Sequence, residues 1–129
     1  VEMRVGLSLI YFGRSIVFLG LLFLPISPAT VIGLSVALGF LWLSTVPLTS
    51  GLVATFFGTR WMSKLFGLVF LSHQLGSFAG LRLAGNLYDL NKSYDAMWRI
   101  SVALGLGAAA EHWPIREKPV ERLAAPQPA

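Results

Sequence analysis

A chain of 129 residues with 12% charged and 55% hydrophobic side chains falls well below the roughly 25% charge of a soluble globular protein, so most of its surface is not built for water. Its lack of cysteine excludes disulfides, thiolate chemistry and cysteine-based metal sites. The formal charge of +4 comes from scattered Lys and Arg rather than from a basic stripe interleaved with aromatics, which argues against nucleic acid as a partner.

From Ser15 to Thr59 there is no Asp, Glu, Lys, Arg or His, and only the Pro25-Ile26-Ser27-Pro28 turn interrupts the run. So long an apolar stretch exceeds what a small soluble core can bury, and in lipid the backbone satisfies its own hydrogen bonds only as helix. The expectation is an all-α integral membrane bundle of four transmembrane helices over about 5–24, 29–57, 65–84 and 94–113. A solvated, disordered cytoplasmic tail is expected over about 115–129. The start lacks the basic, short-apolar and small-residue pattern of a secretory signal, and the chain is expected to be part of a longer one.

Pro25 and Pro28 stop the first helix, because neither ring donates an amide. Arg14 lies about 14 Å along it at roughly 1.5 Å per residue, near the middle of a bilayer. A cation there snorkels, pairs with a neighbouring helix, or serves a substrate or gate. In the second helix Pro47 removes the amide that would bond to Leu43, and Ser44, Thr45, Thr49 and Ser50 stand ready to satisfy freed carbonyls. Ser35, Trp42, Thr45 and Thr49 fall within about 80° of one another, a polar stripe that lines a cavity or packs against another helix.

The basic loop from Gly58 to Lys64 carries the interfacial Trp61 and reads as cytoplasmic. In the third helix Ser72, Gly76, Gly80 and Ala84 recur at every fourth position, a ridge that lets another helix approach closely. Beside it stand His73 and Gln74, halfway through the membrane and costly without partners, either as packing residues or as functional ones. Arg82 is placed to reach an interface. The segment from Gly85 to Lys92 reads as a polar turn, with Ser93 as an N-cap and Asp95 in the first turn of the fourth helix. That helix carries the small cluster from Gly105 to Ala110 and ends at Pro114, with Glu111, His112 and Trp113 as interfacial anchors.

Arg4, Arg60, Lys64, Arg116, Lys118 and Arg122 fall on one side, against Lys92, Arg82 and Arg99 diluted by Asp89 and Asp95 on the other. The first side is therefore cytoplasmic and both termini face it, as in a multi-pass protein of the cell membrane.

The run Ser72-His73-Gln74-Leu75-Gly76-Ser77-Phe78-Ala79-Gly80, then Gly85-Asn86-Leu87-Tyr88-Asp89 and Ser93-Tyr94-Asp95-Ala96-Met97-Trp98, resembles the last four helices of a major facilitator superfamily transporter. It is similar to bacterial members of the monocarboxylate and oxalate/formate branch. Leu9-Ile10-Tyr11 with Arg14 is similar to the ninth helix of such proteins, and the run from Leu41 to Thr49 to the tenth. Arg82 stands where the family has an apolar residue or Trp, and Asn86 where a basic residue is common. The resemblance implies alternating access between two six-helix halves, with the missing N-terminal helices of the same transporter as partners and a small solute, such as an organic anion, as cargo. It makes Trp42, Thr45 and Thr49 cavity contacts, and His73 and Gln74 hydrogen-bonding groups, with His73 able to serve a proton or an anion. Two other classes remain open: a small self-assembling four-helix exporter, and a membrane scaffold that transports nothing. No carboxylate pair, nucleophile with a base, phosphate loop or metal-spaced cluster points to an enzyme, a metal or a cofactor.

Overall fold

The computed structural model describes residues 2–120, and these form four α-helices with no strand among them: α1 (Met3–Phe23), α2 (Pro28–Phe57), α3 (Met62–Asn91) and α4 (Asp95–His112). Arg122 and the rest of the tail from 121 onward lie outside the described residues.

The helix ends follow local chemistry. Ser27 caps α2 by accepting from the Thr30 amide at 3.2 Å, with Pro28 in the first turn, where its missing N–H costs nothing. Gly58 closes α2 at φ 72°, and a single 3₁₀ turn, Thr59–Trp61, leads into α3. Arg60 and Lys64 both stand over the Trp61 ring, at 5.6 and 5.4 Å.

The expected turn over 85–92 is instead helical almost to its end. Glycine costs a helix only about 1 kcal/mol relative to alanine, too little for Gly85 to stop a helix that keeps its hydrogen bonds for six more residues. α3 terminates at Lys92, which takes the left-handed conformation at φ 52° and donates its amide to the Tyr88 carbonyl at 2.7 Å. Tyr88 and Tyr94 stack across this corner with centroids 4.6 Å apart. Ser93 accepts from the Asp95 amide at 3.1 Å, and Asp95 sits in the first turn of α4 as the helix dipole favours.

The centre of the fold is α1, which packs along its length against α2 on one side and α4 on the other. Towards α2 it presents Gly6, Gly13 and Gly20, seven residues apart, and each receives a leucine of α2. A Cβ at those positions would stand 3.3 Å from Leu48, 3.4 Å from Leu41 and 3.1 Å from Leu34. The leucines are also seven apart and run in the opposite direction, so the two helices stay in register, with leucine knobs seated over glycine holes. Ile10 and Val17, both buried, complete the seam.

Towards α4 the contact is closer and polar. Ser8 Oγ donates to the Ala109 carbonyl at 2.5 Å, and Ser15 Oγ lies 3.2 Å from the carbonyls of Tyr11 and Val102. Both serines are buried, as are Gly105 and Ala109 opposite them. A Cβ on Gly105 would overlap the Ser15 hydroxyl and come 3.3 Å from the Tyr11 carbonyl oxygen. The small cluster of α4 is thus what allows this approach. The third face of α1, with Leu9, Phe12, Ile16, Leu19 and Phe23, is exposed.

By contrast, α3 has no buried residue and leans on α2 and α4 through few positions. The ridge expected to pack tightly does not do so within this chain: a Cβ at Gly76 or Gly80 would have no atom within 4 Å. With α1 already covered on two faces, α3 closes the ring only loosely.

After α4 the chain turns back across the end of the bundle. Arg4 Nη1 donates to the carbonyls of Trp113 and Ile115 at 3.3 and 3.2 Å. Glu117 accepts the Arg4 amide at 2.5 Å, and the Val120 amide reaches the Phe56 carbonyl at 2.9 Å. Residues 115–120, expected to be solvated tail, therefore tie α1, α2 and α4 together, because the open first turn of α1 offers an amide that an acidic side chain can cap.

α1 and α2 are long and apolar enough to cross a membrane, with mean hydropathy 1.9 and 2.0 over their best windows; α3 and α4, which carry more polar and charged groups, do not reach that mark. Apart from Leu52 and Val53, α2 has no buried residue, unlike the core helix of a water-soluble domain.

Candidate functional site

Between α1, α2 and α3, roughly midway along α1, lies a cavity of about 450 Å³, within the size range of small-molecule sites. Its organising side chain is Arg14, held by neutral groups alone. The guanidinium Nη2 donates to Thr45 Oγ1 at 2.7 Å and to the Leu41 carbonyl at 3.3 Å. The Thr45 hydroxyl passes its own proton to the same carbonyl at 3.1 Å, which orients its lone pairs towards the arginine. The charge also stands over two rings, Trp42 at 4.8 Å and Tyr11 at 5.2 Å, each such contact contributing about 0.5–2 kcal/mol. Its Nε is buried without a hydrogen-bond partner among the described residues.

Trp42 is shared between walls. One ring face meets Arg14 from α1, and the ring meets His73 of α3 edge-on at 5.6 Å. His73 also lies 6.2 Å from the Phe70 ring. Thr49 lines the wall one turn below Thr45, its hydroxyl donating to the Thr45 carbonyl at 2.8 Å. The Ser and Thr side chains around Pro47 bond to the carbonyls of Phe40, Leu41, Thr45 and Pro47 itself, rather than to Leu43.

The structure thus gathers Arg14, Trp42, Thr45, Thr49 and His73 at one cavity and leaves Gln74 out of it. Of the ridge, Ser72 lines this cavity, with its hydroxyl turned to the Val69 carbonyl at 2.7 Å. Gly80 and Ala84 line a second, open groove of about 650 Å³ beside Phe18 and Trp98, whose rings stack at 5.8 Å. Gly76 borders neither, and the exposed Ser35 lines neither.

Besides the apolar wall, two polar lining residues, Tyr11 and His112, escaped sequence reasoning as site members. Tyr11 precedes Arg14 by one helical turn and therefore shares its face, a signal that was available. His112 was placed as an interfacial anchor, but its ring stacks on Tyr11 at 5.1 Å while Nδ1 lies 2.6 Å from the Ala108 carbonyl. A carbonyl only accepts, so Nδ1 is the donor in that bond. No local pattern announces this, because the α1–α4 contact that brings the histidine to the cavity spans the whole chain.

The lining holds a cation, two imidazoles and three hydroxyl side chains besides tyrosine, and no carboxylate. Such a set can bind and orient an anion or a hydrogen-bonding solute; it has no nucleophile activated by a neighbouring base. Among the described residues no three His, Cys, Asp or Glu side chains come together to hold a metal ion. No family model matches this chain, and no curated protein or solved structure was found to be similar to it.

Proposed function

We propose that the four helices cross a membrane and that the cavity at Arg14 carries a small anionic solute, as part of a transporter working by alternating access in the manner of the major facilitator superfamily. The observation that carries this reading is the unbalanced cation. Arg14 is half-buried midway along an apolar helix, and no acidic side chain lines its cavity. Aromatic faces and hydroxyls can hold a guanidinium without neutralising it, so in a low-dielectric site an anion gains both the charge and the remaining donors. The membrane setting is supported by the apolar α2, which buries only Leu52 and Val53, and by the exposed Leu, Ile and Phe face of α1. At roughly 1.5 Å per residue α1 spans about 32 Å and α2 about 45 Å, enough to cross a hydrocarbon core of about 30 Å, the longer one with tilt. On this reading further helices of the transporter complete the path on the open side of α3, and both ends of the chain face the cytoplasm.

The decisive experiment is uptake of small carboxylates by cells expressing the protein as its genome encodes it. Arg14→Gln should remove saturable uptake while leaving the protein in the membrane, and His73→Ala should lower uptake with expression nearly intact. Normal uptake in a well-expressed Arg14→Gln protein would overturn the anion site. Topology is tested separately: single cysteines at Lys92 and Arg116 should label from opposite sides with an impermeant thiol reagent, and labelling from the same side contradicts the four-crossing arrangement.

A further inference from the structure

At the end of the bundle where α1 begins, one segment of chain is fastened to three helices beneath the Arg14 cavity. Arg4 precedes Tyr11 by seven residues and Phe56 follows Thr49 by seven, so each falls within about 20° of a cavity-lining residue and about 10 Å nearer that end. Trp113 and Ile115 follow His112, which lines the cavity from α4. Residues 115–120 join these points. Arg4 Nη1 donates to the Trp113 and Ile115 carbonyls, Glu117 accepts the Arg4 amide, and the Val120 amide donates to the Phe56 carbonyl. The segment therefore passes from α4, over the cavity face of α1, to the cavity face of α2.

The layer between the cavity and this segment is packed. Leu7, between Arg4 and Tyr11, is 1% exposed, and Leu52 and Val53, between Thr49 and Phe56, are the buried residues of α2. The segment itself is different. None of residues 114–120 is buried, so hydrogen bonds rather than an apolar core hold it in place. An element with few buried contacts and exposed hydrogen bonds opens at lower free energy than the helices it crosses. Arg4 and Glu117 form its clasp: the carboxylate is favoured at the positive end of α1, while the guanidinium answers the open carbonyls at the end of α4.

We propose that residues 115–120 are a releasable strap that closes the Arg14 cavity towards the end of the bundle at which α1 begins, the cytoplasmic end on the reading above. With the strap down, the layer of Leu7, Leu52 and Val53 is held by a segment tied to three helices, and water on that side does not reach Arg14. With the Glu117 and Val120 contacts released, α1 and α2 lose the tie across their ends and the cavity opens there. The inference rests on the membrane placement and on the cavity, not on the solute. Normal uptake in the Arg14→Gln protein would remove the anion and leave access through this end untouched.

The test is access. Val46 lines the cavity and takes no part in holding Arg14, so Val46→Cys reports on it in the protein as its genome encodes it. Sealed vesicles are used in the orientation in which Arg116→Cys labels with an impermeant thiol reagent, which puts the strap outside. There Val46→Cys should label slowly. Val120→Pro, which lacks the amide that reaches Phe56, and Glu117→Ala should each speed that labelling by about twofold to tenfold, the worth of one hydrogen bond. Val120→Ala keeps the amide and should leave the rate unchanged; Glu117→Gln keeps an acceptor oxygen and should fall between. Labelling as fast with the strap intact as without it, or no change with either variant, would overturn the strap. So would equal acceleration at Met97→Cys of the second groove, labelled from the opposite side, because it would report a general loosening of the bundle. If Glu117→Ala fails to reach the membrane, Val120→Pro still decides.

Discussion

α1 and α3 read alike as sequences and behave differently in the fold. Both are long helices with small residues at regular intervals and polar groups near the middle, Arg14 and Ser15 in one and His73 and Gln74 in the other. α1 buries Leu7 and Ser15 almost completely and is covered on two faces, whereas α3 buries nothing. The difference lies in what faces the small residues. Gly6, Gly13 and Gly20 are each met by a leucine from α2, and Gly105 is met by Ser15; Gly76 and Gly80 are met by no atom of this chain. A small-residue repeat marks where a helix could be approached, and only the partner's side chains make it an interface.

Four substitutions test that contrast, each read as reversible unfolding of the full chain in mixed micelles. The largest effect belongs to Gly105→Leu. Its Cβ would collide with the Ser15 hydroxyl and crowd the Tyr11 carbonyl, a backbone group that cannot step aside, so a loss of about 3 kcal/mol is expected, the upper end for overpacking. An unchanged midpoint would mean that α1 and α4 are not apposed as described. Gly20→Ala should cost less, about 1 kcal/mol, because the atom it meets at 3.1 Å is a methyl of Leu34 that can rotate away. Pairing it with Leu34→Val should recover part of the loss; no recovery would separate glycine from leucine.

Ser15→Ala removes the hydroxyl that contacts the Tyr11 and Val102 carbonyls, and about 0.6 kcal/mol is the average for an interhelical hydrogen bond in a membrane. A loss of several kcal/mol would show that the α1–α4 contact depends on Ser15 for more than these hydrogen bonds. Gly76→Ala should change stability least, by under about 0.5 kcal/mol in either direction, since alanine favours the helix and nothing stands in its way. A large loss at Gly76 would restore the ridge of α3 as an interface in the chain alone.

Some of this was legible in the residues. The uncharged run and Pro25 with Pro28 mark the boundary between α1 and α2 by chemistry that acts within a few positions. The stripe of Trp42, Thr45 and Thr49 reached the cavity because helical periodicity puts those residues on one face whatever the helix packs against. Arg14 was legible as an uncommon charge, but not its partners, because Leu41 and Thr45 come to it only through the α1–α2 register. The heptad of Gly6, Gly13 and Gly20 is present in the sequence, but spacing alone does not say which small-residue repeat a partner helix fills, and here it is the heptad and not the four-residue repeat of α3.

By itself the sequence determined an all-helical chain of four helices and the face of α2 that carries Trp42, Thr45 and Thr49; of the four crossings it led one to expect, α1 and α2 alone are long and apolar enough by length and composition. Each follows from hydrogen bonding, capping or periodicity within one segment. The tertiary structure alone decided that α1 is the centre and α3 the loose wall, that His112 reaches the cavity while Gln74 turns away from it, and that residues 115–120 close over the end of the bundle. Those outcomes depend on which side chains meet across helices tens of residues apart, a property of the register between elements and of no single stretch of chain.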